Sequence, residues 1–162
     1  MERKLIIRNF GAIASADIAL KDFNIFIGEQ GAGKSTVAKL ITIFENSRDK
    51  VLKVDSDYLM TKFSEYNIIS YFNPDSYISY SSEQGDITYE DGSFNFTFSY
   101  HSTSHNLYIP AERFFISTFS RSIATLVLSK APIPVTLLEF ASFYEKAKNL
   151  FVNYQVPIFN II

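Results

Sequence analysis

The sequence predicts an α/β fold, and three of its stretches carry that prediction. A short apolar run at residues 22–27 leads into a glycine-rich loop, and in residues 34–44 the apolar side chains then recur every three or four positions. This order is typical of a strand, a tight loop and an amphipathic helix. Farther along, residues 93–100 alternate aromatic and small polar side chains, which is the period of a half-buried strand.

The glycine-rich loop matches a phosphate-binding pattern at every fixed position. Residues 28–35 read Gly-Glu-Gln-Gly-Ala-Gly-Lys-Ser, which is GxxxxGK[ST]. The glycines let backbone N–H groups approach phosphates, and the following helix adds a partial positive charge. The predicted phosphate-binding residues are Gly28, Glu29, Gln30, Gly31, Ala32, Gly33, Lys34, Ser35 and Thr36. We expect Lys34 to contact the β- and γ-phosphates of ATP, Ser35 to bind Mg²⁺ and Thr36 to contact the α-phosphate.

The remaining elements are predicted along the chain as parts of a single domain, residues 1–162. Its four regions are a hairpin, loop strand and helix over residues 3–45, a helical insert over 46–76, a β-meander over 77–110 and a helical segment over 111–162. The strands predicted in them are Lys4–Phe10, Ala16–Leu20, Phe23–Ile27, Asp86–Glu90, Ser93–Tyr100 and Asn106–Ile109. The dipeptide Asp91-Gly92 is predicted to be a hairpin turn between the fourth and fifth of these strands.

Composition and charge exclude several classes of protein. The chain has 15 basic and 17 acidic residues and a net charge of −2, so it has no overall basic field for nucleic acid, although a local patch stays open. It has no cysteine, which excludes disulfides and cysteine-based metal sites. No stretch approaches a membrane-spanning length of apolar residues, so we expect a cytoplasmic protein without a membrane partner.

Two segments resemble known ATPases. The segments at residues 5–13, Leu-Ile-Ile-Arg-Asn-Phe-Gly-Ala-Ile, and at residues 24–36 resemble the opening of ABC-class ATPases of the RecF, SMC and OLD type. This loop has Glu-Gln where many members have Pro-Asn or Glu-Asn. Residues 107–113, Leu-Tyr-Ile-Pro-Ala-Glu-Arg, are similar to an element of bacterial AAA-type ATPases of the same group.

The resemblance implies a P-loop NTPase fold, here an ABC-ATPase-like N-terminal lobe with an antiparallel β-subdomain and a trailing helical segment. It implies that the adenine lies near Arg8, Asn9 and Phe10. It also makes Glu112 and Arg113 the candidates for sensing the γ-phosphate and Mg²⁺, in place of the usual glutamine. Complete members act through ATP-dependent dimers, some of them on DNA.

Two motifs that hydrolysis requires in this group are not found in the sequence. No apolar run ends in the Asp-Glu pair of a Walker B strand, and no signature helix is visible. The chain also ends in an apolar stretch, residues 156–162. We therefore expect a front half that binds ATP, while hydrolysis depends on a C-terminal ATPase half or a homodimer. A small P-loop kinase and a non-catalytic nucleotide-responsive module stay open, and a turnover assay beside a binding assay separates them.

Overall fold

The computed structural model describes residues 3–47, 54–83, 85–98, 106–111, 128–130 and 132–154. The chain divides into two compact units, Met1–Asn106 and Leu107–Ile162. The first unit contains the glycine-rich loop and every strand among the described residues.

An antiparallel sheet of five strands forms the frame of the first unit, in the spatial order β2-β1-β3-β4-β5. Its strands are β1 (Arg3–Phe10), β2 (Ile13–Leu20), β3 (Tyr77–Ser82), β4 (Gly85–Glu90) and β5 (Ser93–Phe98). The first strand is an inner strand, with Ile7 opposite Ala16 of β2 on one side and Ile78 of β3 on the other. The meander predicted over residues 77–110 is therefore joined to the N-terminal hairpin in one sheet.

One face of this sheet is apolar and packs on helices. The helices are α1 (Lys34–Asn46) and α2 (Ser56–Glu65), followed by a short 3₁₀ turn at Ile69–Tyr71. Asp55 caps α2, since its carboxylate accepts a hydrogen bond from the Tyr58 N–H at 2.9 Å. Aromatic rings join the layers: Phe44 of α1 lies 5.7 Å from Tyr80 between ring centroids, and Phe63 lies 5.7 Å from Phe94. The core thus lies between the sheet and the two helices.

Two of the hairpin turns, β1–β2 and β4–β5, contain residues with positive φ. Asp91 and Gly92 have φ of 50° and 77°, which confirms the predicted hairpin turn between β4 and β5. In the β1–β2 turn, Gly11 has φ of 57° and its N–H donates to the carbonyl of Tyr71 at 3.1 Å. A Cβ on Gly11 would lie 2.6 Å from the Tyr71 ring, so glycine is required there for both conformation and space.

The structure corrects two of the predicted strands. Phe23–Ile27 has no regular secondary structure, and Phe23, Ile25 and Ile27 are 80%, 70% and 93% exposed. A strand needs hydrogen bonds to a neighbouring strand, and no strand in the described ranges pairs with this segment. Asn106–Ile109 is not a strand either, because the backbone of Asn106 bonds to the side chain of Asn46 instead of to a strand.

Other predicted boundaries change less. The second strand begins at Ile13 rather than at Ala16. The helical insert predicted over residues 46–76 contains α2 and the 3₁₀ turn, with irregular chain around them. Of the predicted strand at residues 93–100, the last two residues lie outside the described residues.

The second unit contains one long helix among its described residues, α3 (Val135–Tyr154), which falls within the predicted helical segment. Thr136 and Ala141 are buried within it, whereas Phe143 and Tyr144 are exposed. Glu112 and Arg113 lie outside the described residues. Within the parts of the chain that the structure describes, no helix is both long and apolar enough to cross a bilayer.

Candidate functional site

The glycine-rich loop connects the irregular segment at residues 22–27 to the first turn of α1. Gly31 and Gly33 have φ of 84° and 87°, in the left-handed region that glycine adopts without strain. The loop closes on itself through a hydrogen bond of 3.3 Å from the Ala32 N–H to the Glu29 carbonyl. Residues 28–32 are exposed, so a ligand could reach the loop directly.

The N-terminus of α1 presents unpaired N–H groups to that loop. Its N-cap is Gly33, which has no side chain to cap the helix, and the first turn contains no acidic residue. The first helical bond runs from Val37 N–H to the Gly33 carbonyl at 3.0 Å. Among the described residues, the N–H groups of Lys34, Ser35 and Thr36 have no hydrogen-bond acceptor. An open helix N-terminus of this kind favours an anion.

The ammonium group of Lys34 lies against the loop. Its Nζ donates to the carbonyl of Gly28 at 2.7 Å and to that of Glu29 at 2.5 Å. These carbonyls hold the positive charge beside the uncapped N–H groups. The loop therefore combines a cation, a helix N-terminus and two left-handed glycines in one short segment, as phosphate binding requires.

The two hydroxyl residues of the loop differ in exposure. Ser35 is exposed, and its oxygen is a ligand that suits Mg²⁺. Thr36 is buried, so its predicted contact with the α-phosphate stays a prediction. Searching the described residues reveals no group of three or more His, Asp or Glu side chains that could hold a metal.

The turn of the N-terminal hairpin packs directly on the loop. A Cβ at Gly33 would lie 2.5 Å from Cγ1 and 2.9 Å from Cδ1 of Ile13, which is the first residue of β2. Gly33 therefore has a packing role in addition to its backbone conformation. The sequence motif did not reveal this contact, because it specifies glycine without saying what lies beside it.

A cleft of about 450 Å³ opens beside the loop. It is lined by the hairpin turn and the start of β2, by residues 25–27, by the loop and by the start of α1: Ala12, Ile13, Ala14, Ser15, Ala16, Ile25, Phe26, Ile27, Ala32, Gly33, Lys34 and Val37. Sequence reasoning missed the residues from Ala12 to Ala16. The signal that could have found them is their position directly after the hairpin turn.

The three residues predicted near the adenine are engaged in other contacts. Phe10 is fully buried, and its ring packs edge-on to Phe63, Tyr71 and Phe72. Arg8 pairs with Asp17 at 2.7 Å and donates to the Ala16 carbonyl.

Asn9 has φ of 49°, and its carbonyl accepts hydrogen bonds from Asn73 and Ser76 at 2.6 Å each. The base-binding role of residues 8–10 stays a prediction, and the ring of Phe10 has no exposed face on which a base could stack.

Comparison with known proteins adds the family. A family model described as an AAA ATPase domain matches residues 1–154, a range that includes the sheet, the loop and α3. No curated protein and no solved structure was found to match the chain. With an uncapped helix N-terminus, a loop lysine and a family match along nearly the whole sequence, the chain belongs to the AAA ATPase domain family.

Proposed function

We propose that this chain binds Mg-ATP through residues 28–36, as the N-terminal lobe of an ATPase of the ABC-class, RecF/SMC/OLD-like type. The observation that carries the proposal is the open N-terminus of α1 with the Lys34 ammonium beside it. An ATP triphosphate is a multiply charged anion, and this arrangement offers backbone N–H donors and a fixed cation at one place. Membership in the AAA ATPase domain family supports the choice of a nucleotide as the ligand.

The residues of the loop have separate roles in this proposal. Lys34 leaves the carbonyls of Gly28 and Glu29 and pairs with the β- and γ-phosphates, which offer it a full negative charge instead of two neutral acceptors. The N–H groups at the start of α1 bind phosphate oxygens. Ser35 would hold Mg²⁺, whose charge, when bound, offsets that of the terminal phosphates.

Hydrolysis needs groups that the loop does not contain. The transition state of phosphoryl transfer requires an oriented water and charge stabilisation from several sides, whereas residues 28–36 approach the phosphates from one side. We place the remaining groups on a C-terminal ATPase half or a second protomer, and contact with DNA, if any, on that full assembly. Supporting this, the large apolar side chains of Phe23, Ile25 and Ile27 are exposed directly before the loop, where an added strand could cover them.

The phosphate-binding proposal is tested by calorimetry with Mg-ATP on the full chain. Lys34→Ala should weaken binding by tenfold or more, which is about 1.4 kcal/mol. Lys146→Ala is the matched control, because Lys146 is an exposed lysine on α3 in the other unit. Equal affinity in Lys34→Ala and wild type would contradict the assignment of the loop.

The partner proposal is tested by amide hydrogen exchange at residues 23–27. In the isolated chain these amides should exchange fast, since they have no hydrogen bonds to described residues. In the assembly that hydrolyses ATP they should be protected, because a neighbouring strand would then accept their hydrogen bonds. Fast exchange in both states would contradict pairing at this edge.

A further inference from the structure

One arginine contacts the chain on both sides of the glycine-rich loop. Arg3, the first residue of β1, donates from Nη2 to the carbonyl of Lys21 at 3.2 Å and to the Asp22 carboxylate at 3.3 Å. Its other terminal nitrogen, Nη1, lies 3.5 Å from Oε1 of Glu45. Asp22 is fully exposed and Glu45 is buried, so the guanidinium spans from the surface to the core.

These contacts lie at the ends of two legs that carry the loop. The upstream leg is residues 22–27, which lead into the loop at Gly28, and the downstream leg is α1, which leaves the loop at Lys34 and reaches Glu45 near its end. Asp22 and Glu45 are thus the far ends of the two legs. Both meet at the guanidinium of Arg3.

Among the described residues, few other hydrogen bonds hold the upstream leg in place. No backbone hydrogen bond joins residues 23–27 to any part of the chain that the structure describes. Within this segment, the side chain of Asn24 makes a local turn back to Lys21: it accepts from the Lys21 N–H at 3.0 Å and donates to the Lys21 carbonyl at 2.7 Å. This turn shapes the segment but does not connect it to α1. Arg3 does.

The geometry of arginine suits this connection. Its planar fork places separate N–H groups toward separate acceptors, here the Lys21 and Asp22 oxygens on one nitrogen and Glu45 on the other. Lysine would keep the positive charge near the buried Glu45 but has one nitrogen for both legs. A lysine variant therefore separates charge neutralisation from the connection between the legs.

We propose that Arg3 is a positioning residue that holds the two legs together and so keeps the glycine-rich loop in the conformation that accepts a triphosphate. The proposal rests on the proposed function of that loop. Because a preorganised loop loses less conformational freedom on binding, a break in the connection should appear in nucleotide affinity.

The experiment compares Arg3→Lys with wild type, using Mg-ATP as the probe, in calorimetry and in urea unfolding of the full chain. Arg3→Lys should bind Mg-ATP about fivefold more weakly while its unfolding midpoint changes little. Amides at residues 23–33 of the nucleotide-free protein should exchange faster in the variant. Lys62→Ala is the control, because it removes the 2.6 Å ion pair with Glu65 within α2, which is part of neither leg.

The outcomes distinguish this inference from the proposed function. An Arg3→Lys affinity within twofold of wild type would overturn the positioning role, and so would a lower unfolding midpoint in urea without weaker binding. If Lys34→Ala also leaves affinity unchanged, the loop assignment itself is wrong. A folded Arg3→Ala variant extends the series and should bind Mg-ATP more weakly than Arg3→Lys. Equal affinity in the two variants would contradict a connection that depends on both the charge and the planar geometry of the guanidinium.

Discussion

The contact between Gly33 and Ile13 makes a sharp prediction about the stability of the loop. Gly33→Ala must keep a side chain in the left-handed region, at φ of 87°, which costs about 1–2 kcal/mol. The new Cβ would also lie 2.5 Å from Cγ1 of Ile13, where ordinary contacts begin near 3.4 Å. Ile13 is 7% exposed and has little room to move, so the overlap adds about 1–3 kcal/mol.

Gly31→Ala is the matched control within the same loop. Gly31 has φ of 84°, almost the same as that of Gly33, but a Cβ there would meet nothing within 4 Å. The cost of holding alanine in the left-handed region of the folded state is then similar for both variants. The stabilisation that alanine gives by lowering the entropy of the unfolded chain is also similar. The difference between them isolates the overlap with Ile13, so Gly33→Ala should be less stable than Gly31→Ala by about 1–3 kcal/mol.

The measurement is the free energy of unfolding in urea for the full chain. A second arm repeats both substitutions in an Ile13→Ala background, which removes the two atoms that Gly33→Ala would strike. There the two alanine variants should cost nearly the same, a non-additivity of about 1–3 kcal/mol. Equal destabilisation by Gly33→Ala and Gly31→Ala in the wild-type background would refute the packing role of Gly33.

Three further predictions concern catalysis and the core. The turnover rate of the chain alone with Mg-ATP should be well below about 1 per second, because residues 28–36 contact the phosphates from one side only. Steady-state turnover at that rate or faster would reveal an unrecognised catalytic carboxylate. Phe10→Ala should lower the free energy of unfolding by about 3–5 kcal/mol, since the ring is fully buried among aromatic side chains. A folded Phe10→Leu variant that binds nucleotide poorly but has normal stability would contradict that core role. Tyr80→Phe removes a hydrogen-bond donor from the buried Glu45 and should cost about 1–3 kcal/mol in the same unfolding assay, whereas an unchanged stability would mean that the hydroxyl contributes nothing.

Local patterns were sufficient where neighbouring residues alone decide the structure. The match at residues 28–35 predicted a loop before a helix, and the structure places left-handed glycines and an uncapped helix N-terminus there. Asp91-Gly92 predicted its hairpin turn because both residues tolerate positive φ. The alternation in residues 93–100 likewise predicted a strand, since its period is a property of the segment itself.

Only the tertiary structure determined the contacts between residues that are far apart in the sequence. The composition of Phe23–Ile27 suits a buried strand, yet the segment is exposed because a strand forms only beside a partner. The pairing of β1 with β3, the overlap that excludes a side chain at Gly33 and the meeting of Asp22 and Glu45 at Arg3 all join residues far apart in the chain. Sequence spacing encodes the repeat of a helix or strand, but such contacts exist only once the chain has closed the loops between them.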